Sequence, residues 1–458
     1  MRNVINLNKD WAFIQQDVGL PEVMPTDWQT VNLPHTWNAI DGHDGNGSYD
    51  KGRYWYAKTF ETPKQPLGNG KVFVEFLAAG QQATVYVNGK EVVYHEGGYS
   101  TFRADITEVC KEEGENLLVV ACSNERKESV YPQSADFTFY GGLYRKVSLI
   151  LVDETRFDLD YYGTPGIAVT PTVEGANAKV EVEVFVTDAA EGDTLEYVIK
   201  DGDAVVATKT TSADETKATF EIENVHLWNG RKDPHLYTAE VSLKRNDAVL
   251  DERSTRFGCR TFAIDPEKGF ILNGERYPLH GVSRHQDRPH IGNALTHKEH
   301  KEDIDLILEM GANTIRLAHY QHNQYFYDLC DEAGLVIWAE IPYISKHLPN
   351  GRENTVSQMK ELITQNYNHP CIVVWGLSNE ITMGGAEDAD LIENHNILND
   401  LCHQMDPTRL TTMAVVSMCS IDAKYVQIPD VISYNHYYGW YGGTTDMNGE
   451  FMADFHKK

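Results

Sequence analysis

The rhythm of this sequence changes at Phe257-Gly258-Cys259-Arg260. Before that point apolar and polar residues alternate in short runs bounded by turn residues, the pattern of half-buried strands. After it, short apolar runs are separated by stretches with helical spacing, the pattern of βα units around a parallel sheet. A single layer cannot satisfy both periods, so a β part must be followed by an α/β part. The 458 residues also exceed what one hydrophobic core supports, which is roughly 250–300 residues.

Residues 1–155 read as one β unit. Lys71 to Phe76 and Ala83 to Val87 alternate, and Asn88-Gly89 is a two-residue hairpin turn. The aromatic clusters Tyr54-Trp55-Tyr56 and Tyr94 to Tyr99 suit a sandwich or jelly roll in which large rings fill the space between two sheets. Residues 156–262 read as a second unit, with Val180, Val182, Val184 and Val186 in strict alternation, and their length and short strands suggest an immunoglobulin-like β-sandwich. It offers no cluster of chemistry-bearing residues and reads as a spacer.

From 263 to 458 strands and helices alternate. Thr296-His297-Lys298-Glu299 is a capping box that opens a helix ended by Gly311. A helix around Gln324 to Glu332 follows the strand Thr314 to Leu317, and a second capping box, Thr355 to Gln358, is expected to open the helix before Ile372. Strands at 279–282, 314–317, 335–338, 372–378, 410–415 and 431–434 make six, and the last segment, Gly449 to Lys458, is amphipathic. The fold class is multidomain β plus α/β: a jelly roll, an immunoglobulin-like sandwich, and a (β/α)8 barrel truncated after about six strands.

In such a barrel the catalytic groups sit at the C-terminal strand ends. Here those ends carry Arg284-His285, Arg316 with His319, Glu340, Asn379-Glu380, Ser417 and Asn435-His436-Tyr437. A ring of polar groups at successive strand ends is a site. Glu380 is the strongest candidate. A carboxyl group held against Trp375 at the tip of an Ile and Val strand would be partly desolvated, which favours the protonated form of a general acid. The chemistry suggested is glycosidic bond cleavage.

Charge and cysteines narrow the class further. With 40 Lys+Arg against 68 Asp+Glu the formal net charge is -28, which opposes binding to nucleic acid or anionic membranes. Seven cysteines without metal-ligand spacing, most of them in apolar runs, read as free thiols in a reducing compartment. The N-terminus has no continuous apolar segment, and no stretch approaches the roughly 18 apolar residues of a membrane span. A cytoplasmic location is expected.

The motifs Gly281 to Asp287, Ile315 to Tyr320, Trp375 to Glu380 and Tyr434 to Tyr441, with Leu33 to Trp37 and Gly141 to Arg145, resemble family 2 of the glycoside hydrolases over essentially the whole chain. The wording is most like that of bacterial β-galactosidases. The resemblance implies a sugar-binding first domain and hydrolysis of terminal non-reducing β-D-galactose residues by a retaining double displacement. A β-glucuronidase and a non-catalytic carbohydrate-binding fragment are the alternatives. It further implies that Glu380 is the acid/base, that Asn379 holds the sugar 2-hydroxyl, that Asp136 binds sugar hydroxyls, and that His285, His319 and Tyr437 line the sugar subsite. The expected partner is a β-galactoside oligosaccharide or glycoside, with a homo-oligomer open and no cofactor.

Two departures from the family pattern bear on chemistry. Some members hold magnesium through groups after the third strand, whereas this stretch is Glu340-Ile341-Pro342-Tyr343-Ile344-Ser345-Lys346, so no such metal is expected. A retaining glycosidase needs two carboxyls roughly 5 Å apart, and the family nucleophile, a Glu at the seventh strand, is expected beyond residue 458. These 458 residues alone are therefore expected to be inactive.

Overall fold

The structure, a computed structural model, describes residues 1–46, 48–64, 69–383 and 387–457. Its first unit is two antiparallel sheets. One has four strands in the order Asn3–Asn6, Val147–Val152, Lys71–Phe76, Phe102–Asp105. The other has six, in the order Gln29–Val31, Trp11–Ile14, Arg53–Glu61, Glu115–Ser123, Gln82–Val87, Lys90–Glu96. Asn88 and Gly89 turn the hairpin between the last two with φ of 50° and 81°, the left-handed pair that a tight hairpin requires. Alternation sends Tyr56 into the core between the sheets and Trp55 into a smaller cluster on the opposite face of its sheet. Tyr94 departs from the expectation of ring packing between sheets: it is exposed, and its hydroxyl donates to Glu96.

The second unit packs a three-stranded sheet (Ile167–Glu174, Asn177–Val184, Lys217–Ile222) on a four-stranded one (Ala204–Ser212, Thr194–Asp201, Tyr237–Arg245, Ala248–Phe257). Val180, Val182 and Val184 are buried in it, and Val186 has moved into a separate short ladder with Arg156–Phe157. A small three-stranded sheet over 262–276, not foreseen from the sequence, leads into the barrel part.

Six parallel strands then lie in chain order: Gly281–Arg284, Thr314–Leu317, Val336–Glu340, Ile372–Asn379, Leu410–Val416 and Val431–Asn435. The helices are α1 (His297–Glu309), α2 (Gln324–Ala333), α3 (Arg352–Asn366), α4 (Ala389–Met405) and α5 (Met447–Phe455). Thr296 and Glu299 form the expected capping box of α1. The second box does not form. Helix α3 begins a turn earlier, after Gly351, and the Thr355 hydroxyl, now inside the helix, donates back to the Arg352 carbonyl at 2.8 Å. The local signal lost because helix geometry upstream already occupies that hydroxyl.

Arg145 fixes the first unit against the barrel. Its guanidinium donates to the carbonyls of Tyr99 at 2.7 Å and Gln321 at 3.0 Å and to the Gln286 side chain at 3.1 Å. This clamp carries the loop containing Asp136 over the strand ends. Among the described residues no helix is long and apolar enough to cross a membrane.

Candidate active site

The site is built from the tip of the fourth strand. Between Gly376 and Asn379 that strand advances three residues while its neighbour advances two, from Thr412 to Ala414. Such a bulge re-aims side chains. Before it, Gly376 faces the third strand so closely that a Cβ there would lie 2.4 Å from the Glu340 Cβ, so only glycine fits. At the tip, Asn379 points into the strand-end network, and Glu380 sits at φ 48°, a conformation that non-glycine residues rarely adopt and that costs on the order of 1–3 kcal/mol. The Glu380 N–H donates to the Ala414 carbonyl at 2.8 Å, which ties the strained residue to the sheet.

The same bulge corrects the expected environment of Glu380. Trp375 lies before it, fully buried. Its indole N–H donates to Asp406 at 2.9 Å, and the Arg409 guanidinium lies 5.3 Å from its ring. Trp375 thus belongs to the layer behind the strand, and Glu380 borders instead on Asn435, whose amide donates to Glu380 Oε1 at 2.8 Å.

Beneath Glu380 lies a closed set of polar contacts. Glu340 is wholly buried and accepts two bonds from Arg316, Nε to Oε2 and Nη2 to Oε1, each 2.9 Å. His319 Nδ1 lies 2.6 Å from Oε1. Burial pushes the Glu340 carboxyl up, but the Arg316 charge and His319 outweigh it and hold the group below the usual carboxylate range. Arg316 also donates to Asn435 Oδ1 at 2.9 Å and to Asn379 Oδ1 at 2.7 Å. These bonds fix both amides: each oxygen faces the guanidinium, so each nitrogen points away. Asn435 Nδ2 then reaches Glu380 Oε1, and the Asn379 amide N–H groups have no partner among the described residues.

Above this layer opens a cavity of about 990 Å³ whose wall includes Asp136, Lys346, Asn379, Glu380, Tyr437 and Tyr441. Of the residues expected at the site, Asp136, Asn379, Glu380 and Tyr437 share this wall. Asp136 accepts a 3.1 Å bond from the Tyr441 hydroxyl. Burial first, then the Glu380 charge, pushes the Tyr437 phenol up to about 12, so it stays a hydrogen-bond donor at neutral pH. His285 and His319 are not on that wall. They stand beside it, 5.2 Å apart between ring centres, with Phe137 packed 4.9 Å from one and 5.9 Å from the other. Burial and the neighbouring His319 lower His285 to about 4, which keeps it neutral.

Several contributors were not foreseen. Arg316 and Asn435 appeared at strand ends without a role, and their pairing across 119 residues depends on barrel register. Lys346 is, among the described residues, the one Lys or Arg on the cavity wall. Met383, Met418 and Phe451 add apolar surface there.

A parallel barrel sheet delivering an Asn-Glu pair to a sugar-sized cavity, under a loop from an N-terminal β-sandwich, is the architecture of a multidomain barrel protein with a strand-end site. The models of glycosyl hydrolase family 2 match it throughout: the sugar binding domain over residues 5–152, the central family 2 domain over 165–260 and the TIM barrel domain over 263–458. The chain belongs to glycosyl hydrolase family 2. It is 37% identical to a β-glucuronidase of Bacteroides fragilis, covering all of this chain and 67% of that protein. It is 28% identical to a β-galactosidase of Thermoanaerobacter pseudethanolicus, covering all of this chain and 60% of the relative. The crystal structure of an FMN-binding β-glucuronidase from Facaelibacterium prausnitzii L2-6 superposes with a TM-score of 0.95 at 48% identity, over all of this chain and 70% of that one. The chain spans between 53% and 67% of the length of the first three curated relatives it matches.

Proposed function

We propose that the protein to which this chain belongs removes terminal β-D-glucuronic acid from glucuronides by a retaining double displacement, with Glu380 as acid/base. The observation that carries the chemistry is the Asn435 amide on Glu380 Oε1. With Oε1 accepting this bond, Oε2 is the oxygen without a partner among the described residues, and we assign to it the proton delivered to the leaving group. Proton donation to that group breaks the glycosidic bond while a second carboxylate attacks the anomeric carbon; Glu380, now ionised, then takes a proton from the water that releases the sugar.

Asn379, whose amide hydrogens have no partner among the described residues, is assigned to the 2-hydroxyl. Asp136 and Tyr437 are assigned to other sugar hydroxyls. His285 and His319 support the subsite through Phe137 and Glu340. The attacking carboxylate is assigned to a part of the protein outside these 458 residues. Among the described residues the wall around Glu380 offers only Asp136 as a second carboxylate, and Glu340 is committed to Arg316.

The glucuronide reading rests on the names of relatives: the 37% and 48% identical proteins are both called β-glucuronidase. The galactoside reading expected from the sequence keeps the support of the 28% identical β-galactosidase and of a 35% identical structure described as a putative β-galactosidase. Turnover of 4-nitrophenyl β-D-glucuronide and β-D-galactoside by the full-length protein separates them. A kcat/KM ratio above one for the glucuronide is expected, and a preference for galactoside would return the first reading.

A further inference from the structure

A second cavity, of about 290 Å³, lies where the three units meet and shares no lining residue with the one beside Glu380. Its wall includes Arg103 from the first unit, Arg253 and Arg256 from the second, and Asp328 and His369 from the barrel. Most of its cations are matched. Arg103 Nε donates to Glu75 at 2.7 Å. Arg256 pairs with Asp328 at 3.1 Å and with Glu332. His369 Nδ1 lies 2.6 Å from Asp331.

Arg253 has no such match. Its Nε donates to the Pro165 carbonyl at 2.6 Å, which orients the guanidinium, and among the described residues it has no carboxylate partner. Its nearest charged neighbours include Arg2 and Arg103, and burial followed by those two cations pushes its pKa down to about 10. The carboxylates nearby are already used: Asp251 accepts two bonds from Arg2 at 3.0 and 2.8 Å, and Glu75 holds Arg103. The guanidinium is half-buried on the cavity wall, and with no carboxylate partner among the described residues its planar fork of N–H donors is open to a tetrahedral oxyanion.

A metal is not what this cavity holds. Asp328, Asp331 and His369 offer ligand atoms within 4.8 Å of one another, but both ring nitrogens of His369 face acceptors. Asp331 is at Nδ1, and the Gln324 side-chain oxygen is 3.2 Å from Nε2. The Gln324 amide nitrogen donates to Asn366 at 2.9 Å, which fixes that orientation. A histidine donating at both nitrogens is an imidazolium. Burial lowers its pKa, yet Asp331 outweighs burial and raises it.

We propose that this junction cavity binds a phosphate group on the free Nη atoms of Arg253, and that the bound anion fastens the three units to one another. The group is either inorganic phosphate or the end of a small phosphate monoester, and the test distinguishes them. Isothermal titration of the full-length protein at constant ionic strength, with inorganic phosphate and separately with phenyl phosphate, should give saturable binding of one or both. Arg253→Gln should weaken it by about ten- to a hundredfold, the value of a charge-assisted contact, and should leave kcat unchanged. Arg253→Lys keeps the charge without the fork, and weaker but measurable binding by a folded Lys variant supports the site even if the Gln variant fails to fold. Phosphate binding with phenyl phosphate excluded assigns the free ion; binding of both assigns a monoester. No saturable heat with either probe, or equal affinity in wild type and both variants, overturns the proposal.

Discussion

Two glutamates end neighbouring strands of the same sheet, and the fold treats them in opposite ways. Glu340 closes the third strand fully buried, with Arg316 on both oxygens and His319 on one. Glu380 closes the fourth strand on a cavity wall with one neutral amide on one oxygen. A carboxylate whose lone pairs are taken by a guanidinium is a structural anion, because giving up its charge would strand a buried cation. A carboxyl group with one oxygen open to a ligand can gain and lose a proton at little structural cost. A strand-end carboxylate thus becomes a candidate acid by what is withheld from it. The two sites are nevertheless joined, since the guanidinium that neutralises Glu340 also orients Asn435 and Asn379 toward Glu380.

The largest expected effect falls on the open carboxyl of Glu380. In the full-length protein Glu380→Gln should slow hydrolysis of glycosides with poor leaving groups by ~10²- to 10⁴-fold, while activated aryl glycosides, which need little proton donation, lose much less. The urea midpoint of the barrel should stay level or rise, because the substitution removes a charge and no ion pair. Equal losses on both substrate types would remove Glu380 from the acid role.

The closed end should answer in the other coin of measurement. Glu340→Gln leaves Arg316 uncompensated, and we expect about 3 kcal/mol less stability, near the lower end of what removing one partner of a buried pair costs. Activity should fall as well, through disorder of Asn435 and Asn379, and without discrimination between leaving groups. A stable variant that loses only poor leaving groups would mean that Glu340 takes part in proton transfer.

Much of this contrast could be read in the sequence, and its limits have a physical cause. The alternation of Val180 to Val184, the Asn88-Gly89 turn and the Thr296 to Glu299 cap are decided by residues a few positions apart, and the structure contains them. The strand-end position of Glu380 followed from the length of the apolar run before it. The partners of that carboxyl did not. Trp375 was expected against it because the two are close in sequence, but the bulge after Gly376 turns the strand, and a bulge depends on pairing with a neighbour that the sequence does not show. Arg316, Asn435 and Glu340 are similarly brought together only by the register of parallel strands. Thr355 shows the converse failure, a correct local motif overruled by a helix that starts upstream.

A smaller effect sharpens the link between the two glutamates. Asn435→Ala removes the bond to Glu380 Oε1 and one anchor of Arg316, and should lower kcat on poor leaving groups by roughly tenfold, the worth of one bond to a charged or acidic group. The Glu380 proton would then no longer be directed to one oxygen. Combining it with Glu380→Gln should add almost nothing, since residues acting through one proton are not additive. Additive losses in the double variant would place Asn435 in a separate task such as sugar binding.

The smallest effect is the dependence of stability on acidity, and it isolates the closed glutamate. The folded Glu340 carboxyl titrates below its ordinary value of 4.5. Its charge therefore stabilises the fold fully above about pH 4.5 and loses that contribution as pH falls from there through the folded value, with a slope of at most about 1.4 kcal/mol per pH unit for one proton. The Gln variant has no such proton, so the stability gap between it and wild type should be constant above pH 5 and narrow below about pH 4.5. His369 cannot mimic this, because its pKa is raised above 6.5; its contribution is complete below that value and is lost as pH rises through the folded one, on the other side of neutrality. Urea unfolding of both proteins at intervals from pH 3.5 to 8 measures the gap directly. A gap that stays constant down to pH 3.5 would mean that Arg316 no longer depends on a charged Glu340, and the contrast between a spent and an available carboxylate would lose its structural half.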